Sequence, residues 1–152
     1  MIPVGCSAPL VNIPPLPGDI ASHNPNSAGV LAVEVTALNY VLRRWAPEGG
    51  VYAIELPSGT TEKSYRRVIG QLPEGASTPE QYGGELPTYR VAQVYMRGAH
   101  ARVDVIKPDD LVGEQLVSVF ETVDISGWYA RRAKLWNIPV EDALRATRTE
   151  PQ

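Results

Sequence analysis

The stretch Asn26–Trp45, NSAGVLAVEVTALNYVLRRW, constrains the fold more than any other part of the chain. Leu31, Val35, Leu38, Leu42 and Trp45 recur at i, i+4, i+7, i+11 and i+14, so a 3.6-residue period puts all five on one face. Ala32, Thr36, Asn39 and Arg43 fall on another face. Asn26 or Ser27 can cap the first amides with a side-chain oxygen. Arg43 and Arg44 suit the negative end of the helix dipole, and Pro47 with Gly49-Gly50 stops the run. The valines lower intrinsic helix propensity, so this helix must gain its stability by docking its apolar face on something else.

That partner reads as sheet. Val51–Leu56 is β-rich and closed by Pro57-Ser58-Gly59. Thr60–Leu72 fits either a helix, through Tyr65, Val68, Ile69 and Leu72 with a cap at Thr60 or Thr61, or the return strand of a hairpin; the periodicity favours helix. Pro73–Pro87 is a loop. Tyr89–Arg97 and His100–Lys107 form a hairpin around Gly98-Ala99, closed by Pro108-Asp109-Asp110. Gln115–Asp124 is a strand with Val117, Val119, Glu121 and Val123 on one face and Leu116 and Phe120 on the other. Ser126-Gly127 offers a tight turn. Trp128–Trp136 returns as a strand, with Tyr129, Ala133 and Leu135 opposite Trp128, Ala130 and Trp136; helical spacing of Tyr129, Arg132, Ala133 and Trp136 is the alternative. Pro139–Thr147 reads as a short closing helix. The expected class is α+β: one long N-terminal helix on a curved antiparallel sheet of about five strands, with a short C-terminal helix.

At 152 residues the chain suits one domain able to bury a core without disulfides or metal. Six of its 14 prolines lie in residues 1–25, which therefore read as an extended arm laid over the domain by Leu10, Val11, Ile13 and Leu16; residues 26–150 form the domain. Within the arm, Val4-Gly5-Cys6-Ser7 resembles the processing site of bacterial lipoproteins, where a small residue precedes the cysteine that is lipidated. Pro3 stands where that family usually has leucine. The resemblance implies that Cys6 is a lipid anchor at the cell envelope if a leader precedes Met1; without one, Cys6 is an ordinary thiol and the expected location is cytoplasmic. The order of elements over residues 26–137 resembles the cystatin-like and nuclear-transport-factor-2-like cone folds. That likeness implies an early helix in the concavity of a bent sheet, with an opening that Trp45, Tyr95, Trp128 and Tyr129 could border.

No constellation of residues carries a reaction. The single cysteine excludes an internal disulfide and a cysteine-built zinc site. His23, in a turn, and His100, at a hairpin tip, have no metal-ligand spacing between them. Asp109-Asp110 follows a strand-ending proline, and Glu141-Asp142 sits at a helix start where negative charge is favoured. Gly49-Gly50 and Gly83-Gly84 belong to no phosphate-binding pattern. Arg43-Arg44, Arg66-Arg67 and Arg131-Arg132 with Lys134 are scattered basic clusters in a chain of net charge −3, which argues for solvated faces and against a nucleic-acid partner. No catalytic, cofactor or metal residues are assigned. The expected function is a non-enzymatic binding or structural module, with a protein partner or self-assembly, and membrane contact only through a lipidated Cys6. The alternatives are a small-ligand-binding or enzymatic cone domain, and a subunit of a virion or other assembly.

Overall fold

The computed structural model describes residues 10–15, 18, 21–46, 50–82 and 86–149. Cys6 and Leu16 lie outside the described residues. In chain order the elements are β1 (Val11–Ile13), α1 (Ala28–Trp45), β2 (Tyr52–Glu55), α2 (Glu62–Ile69), β3 (Ala76–Ser77), a 3-10 turn (Pro79–Tyr82), β4 (Thr88–Arg97), β5 (His100–Asp109), β6 (Gly113–Asp124), β7 (Gly127–Leu135) and α3 (Val140–Thr149). The chain is α+β, with three α-helices and an open mixed sheet among the described residues.

Helix α1 starts as its sequence requires. The Ser27 hydroxyl accepts the Val30 N–H at 3.4 Å. Asn26 ties this start to that of α2: its Oδ1 accepts the Thr61 N–H at 2.8 Å and its Nδ2 donates to the Gly59 carbonyl at 3.0 Å. Thr61 in turn caps α2 through the Ser64 N–H at 3.2 Å, so the 60–72 segment is a helix over its central part. At the other end Ala46 is extended, with ψ 145°, as a residue before proline prefers. The Tyr89 hydroxyl donates to the Trp45 carbonyl, and the Lys107 ammonium lies 5.3 Å from the Trp45 ring centre. The buried face of α1 is broader than the predicted stripe. It takes in Val30, Leu31, Glu34, Leu38, Val41 and Leu42, while Val35 and Trp45 sit at its margin.

Among the described residues the sheet has seven strands, in the order β3-β2-β4-β5-β6-β7 with β1 paired beside β4. The expectation of about five antiparallel strands is corrected here. Strand β2 runs parallel to both β3 and β4, because α2 and the 3-10 turn carry the chain back before each new pairing. Strand β3 is two residues long and β1 three, set among prolines, so each is too short for its alternation to mark a strand in the sequence. Part of the arm is thus a strand, with Val11 opposite Met96 and both side chains of Val11 and Ile13 buried. Gly75 makes the close approach of β3 possible: its φ is +105°, and a Cβ there would stand 1.7 Å from the Gly50 carbonyl oxygen.

Helices cover both faces, not one. Helix α1, flanked by α2, packs on the face carrying Val91, Val94, Val103, Val105, Val117 and Val119. Helix α3 packs on the other, where Ile106, Leu116, Trp136 and Ala143 form a smaller apolar cluster. Two irregularities shift the pleat. Ala92 is an extra residue in β4, between Val91 opposite Val105 and Gln93 opposite Asp104. Arg131 is an extra residue in β7, between Ala130 opposite Glu121 and Arg132 opposite Phe120. The predicted face partition of β7 fails there: Ala133 joins Trp128 and Ala130 on the α1 side, and Trp136 turns to the α3 side. Pro108 does not end its strand either. It sits opposite Glu114, and β5 runs on to Asp109.

Candidate functional site

The α3 side of the sheet carries a chain of buried polar groups. Asp104 is fully buried on β5. Its Oδ1 accepts the Ser118 hydroxyl at 2.5 Å, and its Oδ2 accepts Gln93 Nε2 at 2.8 Å and Arg102 Nε at 3.2 Å. Burial pushes the Asp104 carboxyl up, while the Arg102 guanidinium and the donors from Ser118 and Gln93 pull it back. From this centre the bonds reach α3: Gln93 Nε2 donates to Thr147 Oγ1 at 2.7 Å, Arg102 Nη1 to the Thr147 carbonyl at 3.2 Å, and Arg148 Nε to Gln93 Oε1 at 3.1 Å. Trp136 Nε1 donates to Ser118 Oγ at 2.9 Å, seating the indole beneath the start of α3. A short, charge-rich helix with two buried residues has little apolar area to hold it. The polar network fixes its position instead.

With α3 fixed, its first turn becomes the wall of a groove of about 1270 Å³. The floor is Ala92, Ile106 and Trp136; the opposite wall is Ile13, Pro14 and Leu56 from the strand β1 and the end of β2. The rim is the turn between β5 and β6. There Asp109 Oδ2 accepts the N–H groups of Leu111 at 3.1 Å and Val112 at 3.0 Å. Those bonds, the one from Val112 foremost, hold the Asp109 carboxyl below the usual carboxylate range. They also close the turn so that Leu111 is left 94% and Val112 71% exposed. Ile138, across the groove mouth, is 45% exposed. Four carboxylates line the site, Glu55, Asp109, Glu114 and Glu141, against Arg90 and His23. Arg90 lies between Glu55 at 3.9 Å and Glu114 at 3.5 Å, pairs too exposed to contribute much stability. His23 is not a solvated turn residue: it is half-buried, and its Nδ1 lies 2.7 Å from the Asn12 carbonyl.

Two carboxyls sit inside the α1–sheet layer. Glu34 lies mid-face on α1 and Glu121 lies on the α1-facing side of β6; both are buried, and among the described residues none of their oxygens has a hydrogen-bond partner. Burial raises Glu34 to about 8 and Glu121 to about 9. Both are therefore neutral acids at pH 7.

The aromatic residues expected around an opening do not meet. Trp45 and Trp128 pack on the α1 side, and the Trp128 carbonyl accepts the Thr36 hydroxyl at 3.5 Å. Tyr95 and Tyr129 alternate to the other face; Arg102 lies 5.6 Å from the Tyr95 ring centre, and Tyr129 is 47% exposed. None of the four lines the groove, and Cys6 lies outside the described residues. Reading the sequence missed Leu111-Val112, although two large aliphatic residues inside an acid-flanked turn are a legible anomaly. His100 is exposed beside the β4–β5 turn. Among the described residues no group of three or more His, Cys, Asp and Glu is placed to hold a metal ion, and no helix is long and apolar enough to cross a membrane. No protein-family model, curated protein or solved structure matches the chain.

Proposed function

We propose that the protein is a non-enzymatic binding module whose groove beside α3 takes an apolar, positively charged segment of a protein partner. One observation carries this reading: Leu111 and Val112 stand in solvent at the rim of a groove whose charged lining is mostly acidic. Exposed aliphatic residues beside a preformed concavity are what an interface presents, and the carboxylates select the sign of the partner. A fluorescein-labelled peptide alternating arginine and leucine tests it by fluorescence polarisation. It should bind, a glutamate–leucine peptide should not, and Leu111→Arg should weaken binding about tenfold or more, roughly 1.4 kcal/mol. Equal binding of both peptides, or of the wild type and Leu111→Arg, contradicts the reading.

A second reading, a small-ligand or enzymatic interior, is favoured by the unpartnered carboxyls of Glu34 and Glu121. It locates binding on the α1 side, so Glu34→Gln would abolish it; on the groove reading that variant leaves peptide binding unchanged. Attachment to the cell envelope through a lipidated Cys6 is a separate part of the proposal, and mass spectrometry of membrane fractions tests it. Kinship with the cystatin-like or nuclear-transport-factor-2-like cones also stays a proposal. A long early helix on a sheet supports it, and the parallel pairing of β2 departs from it.

A further inference from the structure

In the sequence the basic residues are scattered, which speaks against a nucleic-acid partner; the sheet register gathers several of them on one surface. Helix α3 covers its side of the sheet as far as Arg102, which donates to the Thr147 carbonyl at 3.2 Å. There Tyr95, Arg102, Phe120 and Arg132 stand opposite one another across β4, β5, β6 and β7. The next row outward is Arg97, His100, Thr122 and Tyr129. Residues three apart in a regular strand face opposite ways, so Tyr129 and Arg132 share this face because the bulge at Arg131 lies between them. Cations and rings are interleaved. The Arg132 guanidinium lies over the Phe120 ring at 3.8 Å, and that of Arg102 lies 5.6 Å from the Tyr95 ring centre. Arg132 is exposed, and Tyr129 is 47% exposed, so both present a planar group to solvent.

Two carboxylates border this surface. Asp104 is buried and held by Arg102 at 3.2 Å. Asp124, exposed at the hairpin tip, keeps its charge and offsets Arg97 at that corner. Among the described residues no other carboxylate stands in these rows, so the exposed Arg131, Arg132 and Arg148 leave the surface basic although the chain as a whole carries −3. Arg148 belongs to it through α3, its Nε donating to Gln93, one step along β4 from Tyr95 on the same face. We propose that this part of the sheet binds single-stranded nucleic acid, with bases on Tyr129 and on the Arg132–Phe120 pair and phosphates on the arginines around them. Rings and guanidinium planes on an open sheet face are reached by unstacked bases, whereas a duplex hides its base faces and an acidic peptide has no planar groups to lay on them. None of these residues lines the groove, and the two sites do not depend on each other.

Fluorescence anisotropy of a labelled oligothymidylate of about 12 nucleotides tests this on the full chain, each variant being checked for an unchanged thermal melt. The wild type should bind at about 50 mM salt and lose about tenfold in affinity by about 200 mM, as counterion release at two or three phosphates requires. Arg132→Glu, which puts a carboxylate beside Phe120, should weaken binding about tenfold or more. Tyr129→Ala, which removes a stacking ring, should weaken it about fivefold or more. Arg131→Glu repeats the charge arm should Arg132→Glu disturb the strand. The same strand paired with its complement, and a polyglutamate peptide, should each bind at least about tenfold more weakly than the single strand. No binding at the lower salt, variants that bind as the wild type does, or a duplex that binds as tightly as the single strand overturns the inference. Polyglutamate binding as tightly as the oligonucleotide overturns it too, and would give the surface to an acidic protein segment.

Discussion

Moving from pH 8 to pH 5 should stabilise the protein by on the order of 3–4 kcal/mol for each of Glu34 and Glu121, read as a shift of the urea midpoint. The sign follows from burial. Both carboxyls ionise near 4.5 in the unfolded chain but at about 8 and about 9 in the fold. Their contribution is complete below pH 4.5 and is lost as the pH rises through 8 and 9, because the unfolded chain can release a proton that the fold retains. The exposed carboxylates of Asp109 and Asp124, held low by their turns, act in the opposite sense and only near their own lower titration. Glu34→Gln with Glu121→Gln should flatten the profile between pH 5 and 8. A double variant that keeps the wild-type slope would show that these carboxyls are hydrated or paired in solution.

Asp104→Ala should cost about 3–5 kcal/mol, the penalty for leaving a buried cation without its partner. The Arg102 side chain is 6% exposed, so bulk solvent does not replace the lost carboxylate, and Ser118 and Gln93 lose an acceptor at the same time. Because these groups hold α3, the groove wall should loosen as well, and peptide binding should weaken even under conditions where the variant stays folded. Asp104→Asn, which keeps an acceptor but drops the charge, should lie between the two. A loss under about 1 kcal/mol in Asp104→Ala would mean that α3 is held by Ala143 and its apolar neighbours rather than by the network.

The elements with regular periodicity were legible in the sequence. The long helix, the helix at 62–69 and the β4–β5 and β6–β7 hairpins all follow from spacing and turn residues, with ends displaced by up to three positions. What escaped has physical reasons. Strands of two and three residues are too short for alternation to identify, and parallel pairing of β2 is decided by crossovers distant in sequence. Single-residue bulges at Ala92 and Arg131 reverse the facing of everything beyond them, which moved Ala133 and Trp136 to unexpected sides. Glu34 reads as a surface residue by type, yet its helical position lies in the middle of the buried stripe. The groove itself was the least legible. Its walls come from β1, β2, the β5–β6 turn and α3, separated by up to 131 positions from Ile13 to Leu144, and only Leu111-Val112 betrays it locally.

Mapping amide chemical shifts of the 15N-labelled chain during titration with the arginine–leucine peptide shows whether the acid-rimmed groove beside α3 is where this protein binds. The largest shifts should fall on Leu111, Val112 and Gly113 and on Asn137, Ile138, Val140 and Glu141, with α1 unmoved. Shifts concentrated instead around Trp45, Glu34 and Trp128, on the α1 side of the sheet, would contradict it.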